Sequence, residues 1–286
     1  MTVTYTVALP RAEAEALASA IDPALEELGV AHTLFETADG SDVWRVTVYV
    51  EPEVAGRASR ALDGAAPGTA FERAELADED WVTRSLTALA PVRAGGFVVH
   101  GSHDRGVARP GEAAVEIDAA RAFGTGHHGT TAGCLVALDR LLKRGTPQRT
   151  LDLGTGSGVL AIALARRTRR PVLATDIDPV AVAIARDNAQ LNGVRSLVAV
   201  RTATGLGHAA IRAGAPYDLI VANILAGPLR AMAPAIARHL APGGRVVLSG
   251  LLAHQRPGVL AAYRHQGLRH EWTVRRGDWA TLTLGG

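Results

Sequence analysis

Leu151-Asp-Leu-Gly-Thr-Gly-Ser-Gly158, followed by Ala174-Thr-Asp-Ile-Asp-Pro179, decides the fold. The first stretch is a strand that turns into a helix at its glycines. The second is the next strand, ending in an acid about twenty residues on. Glycine lets the backbone approach a ligand and adopt positive φ. Dinucleotide folds carry GxGxxG here, with a pyrophosphate resting on the helix N-terminus. This chain reads GxGxG, with Val159 where the last glycine would stand. The loop therefore suits a ligand without a pyrophosphate, and S-adenosylmethionine, with its amino-acid tail, is one. A tight strand–helix turn with no ligand is the alternative.

Working outward, helices at 131–143, 159–167, 180–191, 229–240 and 254–266 alternate with strands at 149–153, 172–176, 197–201, 217–223 and 245–248. Such alternation with apolar strands predicts a parallel sheet covered on both faces. Two closing strands, 269–275 and 279–284, are spaced for an antiparallel hairpin at the sheet edge. Before residue 77 the order is strand 2–9, helix 13–28 with a break or restart at Asp22-Pro23, and strands 32–36 and 43–50 around the turn 38–42. Helix 53–62 and strand 71–76 follow. This βαββαβ order is the ferredoxin-like split unit. A helix is expected at 78–89, stopped by Pro91, then short strand-like pieces within 95–111 and a strand at 113–118. The domain reading is 1–65 for the small α+β domain, 66–95 for a linker with a helix, and 96–286 for the α/β domain.

Nearly half of the 286 residues are apolar, enough for a substantial core. Lys and Arg number 30 against 28 Asp and Glu, a balance that does not demand nucleic acid. The N-terminus lacks the blocks of a signal peptide, and no apolar run spans a bilayer. The single cysteine, Cys134, has no partner for an internal disulfide. A cytoplasmic protein, acting as a monomer, with no membrane contact and no direct nucleic acid, is expected.

Asp176 ends its strand where a carboxylate can accept hydrogen bonds from both ribose hydroxyls. Asp178 competes, but it precedes Pro179, and proline favours the first helical position, so Asp178 reads as the helix N-cap. Asp152 either orients the glycine loop or reaches the cofactor's ammonium through water. Thr130 and Thr131 open a helix after Gly124-Thr-Gly126 and His127-His128-Gly129, either as an ordinary cap or beneath a lid over the methionine end of the cofactor. The adjacent histidines, without clustered Cys, Asp or Glu, do not make a metal site, and no metal is expected. Asn223 ends the strand 217–223. Its amide oxygen can accept from an incoming amine and aim the nitrogen lone pair at a methyl group.

Together these residues resemble the PrmA family, the methyltransferases of the eleventh protein of the large ribosomal subunit. The strongest pieces are residues 122–131, 151–158, 176–179 and 223–229, then Pro242-Gly-Gly and Leu248-Ser-Gly. The resemblance implies a class I (Rossmann-like) methyltransferase domain behind a small substrate-recognition domain. It also implies S-adenosyl-L-methionine as cofactor and N-methylation of amino groups, α-amine and lysine, on a large-subunit ribosomal protein. Thr131, Gly154, Gly156, Asp176 and Asn223 become the cofactor-binding positions, with Asn223 also the catalytic one. Many members carry Thr-His-Pro where this chain has His127-His128-Gly129. The rival readings are an RNA or small-molecule methyltransferase on the same fold, a nicotinamide-dependent oxidoreductase, which GxGxG disfavours, and a non-catalytic ribosome-binding protein.

Overall fold

The structure, a computed structural model, describes residues 2–26, 28, 30–37, 42–76, 91–117 and 129–286. The helix expected at 78–89, most of the turn at 38–42 and the lid through His128 lie outside the described residues. The chain divides into two compact units, Met1–Ser85 and Leu86–Gly286.

The first unit runs β1 (Thr2–Pro10), α1 (Arg11–Glu26), β2 (Ala31–Glu36), β3 (Val43–Val50), α2 (Ala55–Ala65) and β4 (Glu72–Leu76). Its sheet has the order β2-β3-β1-β4, every pair antiparallel. Period-two alternation sends Val3, Tyr5, Val46, Val48 and Val50 into one core with Leu17, Ile21 and Leu25 of α1 and Leu62 of α2. The Tyr5 hydroxyl donates to the Ala55 carbonyl at 3.0 Å, so the buried phenol is satisfied. Two expectations shift. Helix α1 runs through Asp22-Pro23 without the expected break; the buried stripe Ala14, Leu17, Ile21, Leu25 holds it on the sheet across the proline. Strand β4 pairs with β1, so the small sheet reaches Leu76, past the boundary set at residue 65.

The second unit opens with β5 (Val92–Ala94), β6 (Phe97–His100) and β7 (Ala113–Glu116), which form a three-stranded sheet. Val92–Ala94, expected within the linker, is thus a strand of this sheet. Then come α3 (Gly129–Leu142), β8 (Thr150–Leu153), α4 (Val159–Thr168), β9 (Val172–Asp176), α5 (Pro179–Leu191) and β10 (Val198–Thr202). The chain ends with α6 (Ala209–Gly214), β11 (Tyr217–Asn223), α7 (Ala226–His239), β12 (Leu240–Leu252), α8 (Arg256–Arg264), β13 (Arg269–Arg276) and β14 (Trp279–Gly285).

The seven-stranded sheet has the order β10-β9-β8-β11-β12-β14-β13. Strands β8 to β12 are parallel to one another, and β14 is antiparallel to both β12 and β13. The closing hairpin forms with its later strand inside. Alternate side chains divide between two cores: Leu219, Val221 and Val247 pack against α3, α4 and α5, while Ile220, Val246 and Leu248 pack against α7 and α8. From β8 the chain winds one way through β9 and β10, then returns to start β11 on the other side of β8. That reversal opens a crevice at the carboxyl ends of β8 and β11, where ligands bind in such sheets. Among the described residues, no helix is long and apolar enough to cross a membrane.

Candidate active site

The crevice holds a cavity of about 830 Å³. It is lined by Thr130 and Thr131 from α3, residues 153–156 after β8, Asp176 and Ile177 after β9, Asn223 to Leu225 after β11, and Trp279 of β14. Thr131, Gly154, Gly156, Asp176 and Asn223, named from sequence, thus meet in one cavity. Asp176 is its only charged lining residue among those described, and none is basic.

The glycine loop is built by its conformation. Gly154, Gly156 and Gly158 all have positive φ, at 68°, 55° and 85°. The N–H groups of Gly154 and Thr155 both donate to the Thr175 carbonyl, at 2.8 and 2.9 Å, which ties the loop to the end of β9. The Asp176 carboxylate closes the same link by accepting from Gly156 N at 2.8 Å and Asp178 N at 3.1 Å. Asp178 is the N-cap of α5, accepting from Val180 N at 2.8 Å with Pro179 at the first helical position. Asp178 is thus the helix cap that its place before Pro179 implied.

Asp152 lies beneath the loop, 1% exposed. Its Oδ2 accepts from the Thr155 hydroxyl at 2.6 Å and from Ala161 N at 3.1 Å, joining the loop to the first turn of α4. It does not line the cavity, so the geometry gives it the loop-orienting role. Burial pushes its carboxyl up to about 6, against the lowering effect of those two donors.

Asn223 stands beside the loop because β11 pairs with β8, Ala222 opposite Leu153. Its Nδ2 donates to the Thr131 hydroxyl at 3.3 Å and to the Thr130 hydroxyl at 3.5 Å. Both contacts are made through the amide nitrogen.

Sequence reasoning quoted Leu248-Ser-Gly but gave no role to the residues that hold this corner, and it missed Thr281 altogether. Ser249, opposite Asn223 in β12, donates from Oγ to the Thr130 carbonyl at 3.2 Å. Its one proton being used, it accepts from the Thr281 hydroxyl at 2.8 Å. Both are fully or almost fully buried. Burial pushes the Cys134 thiol up to about 12, which makes it a neutral core residue. A Cβ on Gly250 would lie 2.4 Å from the Ile224 carbonyl oxygen, and one on Gly154 2.3 Å from the Ile224 side chain, so two glycines clasp the residue after Asn223. No local sequence signal links Thr281 or Gly250 to Asn223.

The family model for ribosomal protein L11 methyltransferase (PrmA) matches residues 9–285. The ribosomal protein L11 methyltransferase of Brucella suis is 50% identical over 274 residues, 96% of each chain. That of Rhizobium leguminosarum bv. trifolii is 52% identical over 251 residues, 86% of each chain. The crystal structure of the ribosomal protein L11 methylase from Lactobacillus delbrueckii subsp. bulgaricus superposes with a TM-score of 0.61 at 29% identity, covering 68% of this chain and 98% of that one. With its glycine loop, strand-end acid and strand-end asparagine on such a sheet, the chain belongs to the PrmA family of ribosomal protein L11 methyltransferases.

Proposed function

We propose that this protein transfers methyl groups from S-adenosyl-L-methionine to amino groups, α-amine and lysine, of ribosomal protein L11 of the large subunit. The observation that carries the reading is the meeting of the glycine loop, Asp176 and Asn223 in one cavity without a basic lining residue. The fit to the cofactor is chemical. A cavity built for a pyrophosphate would present cations or the GxGxxG spacing, with a glycine where Val159 stands, whereas a sulfonium ligand with a ribose is suited by an acceptor such as Asp176 and by the lack of Arg and Lys among the lining residues. When bound, the cofactor supplies an electrophilic methyl group on a positively charged sulfur.

The chain's own residues then do three things. Asp176 accepts from the ribose hydroxyls while Gly156 N and Asp178 N hold it in place. Gly154, Gly156 and Thr131 shape the wall against the amino-acid tail. The Asn223 carbonyl oxygen accepts a hydrogen from the incoming amine and turns the nitrogen lone pair toward the methyl group, so that rate comes mainly from alignment. The amine must be neutral. An α-amine with pKa near 7.7–8.0 needs about 1 kcal/mol to deprotonate at pH 7, and a lysine near 10.4 needs about 4–5 kcal/mol. An apolar surround that excludes water from the amine lowers that cost. Among the cavity's lining residues no group is placed as a general base, and the proton passes to solvent.

The reading also places the protein in the cytoplasm as a monomer, with the N-terminal domain selecting the substrate and the C-terminal domain doing the chemistry. Calorimetric titration tests the cofactor: S-adenosylmethionine binds and NAD does not, and the opposite result ends the methyltransferase reading. Methyl incorporation into L11, compared between the full chain and a chain beginning at Leu86 at matched cofactor occupancy, tests the division of labour. Remote binding energy orients the substrate, so the shortened chain loses most incorporation. Undiminished incorporation would put recognition in the C-terminal unit.

A further inference from the structure

We propose that Leu225 is a substrate-contacting residue that receives the aliphatic stem of the lysine to be methylated, an inference that rests on the activity proposed above. Leu225 is 73% exposed, the most exposed large apolar side chain among the described residues, yet it lines the cavity. It also occupies the N-cap position of α7, where it makes no side-chain cap hydrogen bond. Ser, Thr, Asp or Asn would normally stand there, because their side-chain oxygens satisfy an unpaired helical N–H. A leucine at this position serves neither the helix nor the core. Local rules broken without local gain mark functional positions.

The surrounding structure fixes which end of the cavity Leu225 serves. Asp176 ends β9, and β9 is separated from β11 by β8. Two strand spacings, about 10 Å, therefore lie between the ribose-accepting acid and the strand carrying Asn223 and Leu225. The chain between Asn223 and Leu225 is anchored at Ile224, whose N donates to the Ser249 carbonyl at 3.1 Å and which lies so close to Gly250 and Gly154 that a Cβ on either would clash with it. Leu225 is thus held beside Asn223, at the methyl-accepting end. An amine carried on four methylenes brings its own apolar surface to that end. Packing it against Leu225 buries both surfaces and keeps water from the nitrogen.

The test compares Leu225→Ser and Leu225→Met with the wild type, using purified L11 as substrate and site-resolved mass spectrometry as the readout. Leu225→Ser should raise KM for lysine methylation about tenfold, the loss expected when one leucine-sized contact disappears. Its S-adenosylmethionine Kd should stay within about twofold, and its thermal midpoint should be unchanged or higher, because serine caps the helix better. Leu225→Met, which keeps the apolar surface, should restore KM. An unchanged KM in Leu225→Ser overturns the proposal. So does a cofactor Kd raised by the same factor as KM, which would put Leu225 on the cofactor side. A wild-type chain that binds S-adenosylmethionine but methylates nothing on L11 overturns the activity reading itself, and this proposal with it.

Discussion

Asp176 Oδ2 accepts a hydrogen bond from Gly156 N at 2.8 Å, so the acid after β9 and the glycine loop after β8 form one rigid piece. In the proposed reading, one contact thus positions both the ribose acceptor and the wall against the amino-acid tail. Replacing Asp176 by Ala removes a charged acceptor and releases the loop at once. Cofactor affinity should fall by about 1.5–3 kcal/mol, the worth of hydrogen bonds to a charged group. Calorimetry measures it directly, and wild-type affinity in the variant would move the ribose to another residue.

Gly250 has φ of 82°, and its missing side chain makes room for the Ile224 backbone. Gly250→Ala adds a steric shift of the Asn223–Ile224 segment to the left-handed strain of about 1–2 kcal/mol. Gly193 has φ of 66° with open space around it, so Gly193→Ala carries the strain alone. Methyl transfer should collapse in the first variant and persist in the second. Equal activity in the two would show that Ile224 can move without consequence.

Ser249 joins Thr281 to the first turn of α3. Ser249→Ala leaves the buried Thr281 hydroxyl without its acceptor and removes the side-chain donor to the Thr130 carbonyl, at a cost of about 1–3 kcal/mol. Adding Thr281→Val removes the stranded hydroxyl, so the double variant should be less destabilised than the two single effects summed. Chemical denaturation of the four proteins decides it; simple additivity would mean that the two hydroxyls are not coupled.

Asp152 gives a pH signature of its own. Its carboxyl is raised to about 6 in the folded protein from an ordinary value of 3.8. A raised acid favours the folded state when protonated, so its contribution falls as pH climbs from about 4 to about 6 and stays low above that. The span corresponds to about 3 kcal/mol. Asp152→Asn cannot ionise, so its stability relative to wild type should improve by that order across the same window. A difference between the two proteins that stays flat from pH 4 to 7 would argue against a buried, raised acid.

Much of this was legible along the chain because the signals are local. The glycines of residues 154–158 announce positive φ, and the Asp178-Pro179 pair announces a helix start. The apolar strands at 172–176 and 217–223 fall where expected, since period and turn chemistry act over a few residues. Where packing competed with a local rule, packing won. Pro23 did not break α1, because a buried apolar stripe outweighs one lost helical bond. Strand β4 is legible as a strand, but only its pairing with β1 reveals which sheet owns it.

The sequence by itself determined most of the elements, though not the short helix Ala209–Gly214, along with the two-part order and the residues that could meet a cofactor. Tertiary structure decided what local patterns do not carry. The strand order β9-β8-β11 brings Asp176, Gly154 and Asn223 to one crevice. It also places Ser249, Gly250 and Thr281 behind Asn223 and leaves Leu225 exposed at the rim. The reason is physical. Turn preferences and periodicity arise from neighbours within a few positions, whereas strand pairing and buried hydrogen bonds join residues tens of positions apart, and their geometry exists only once the sheet is assembled.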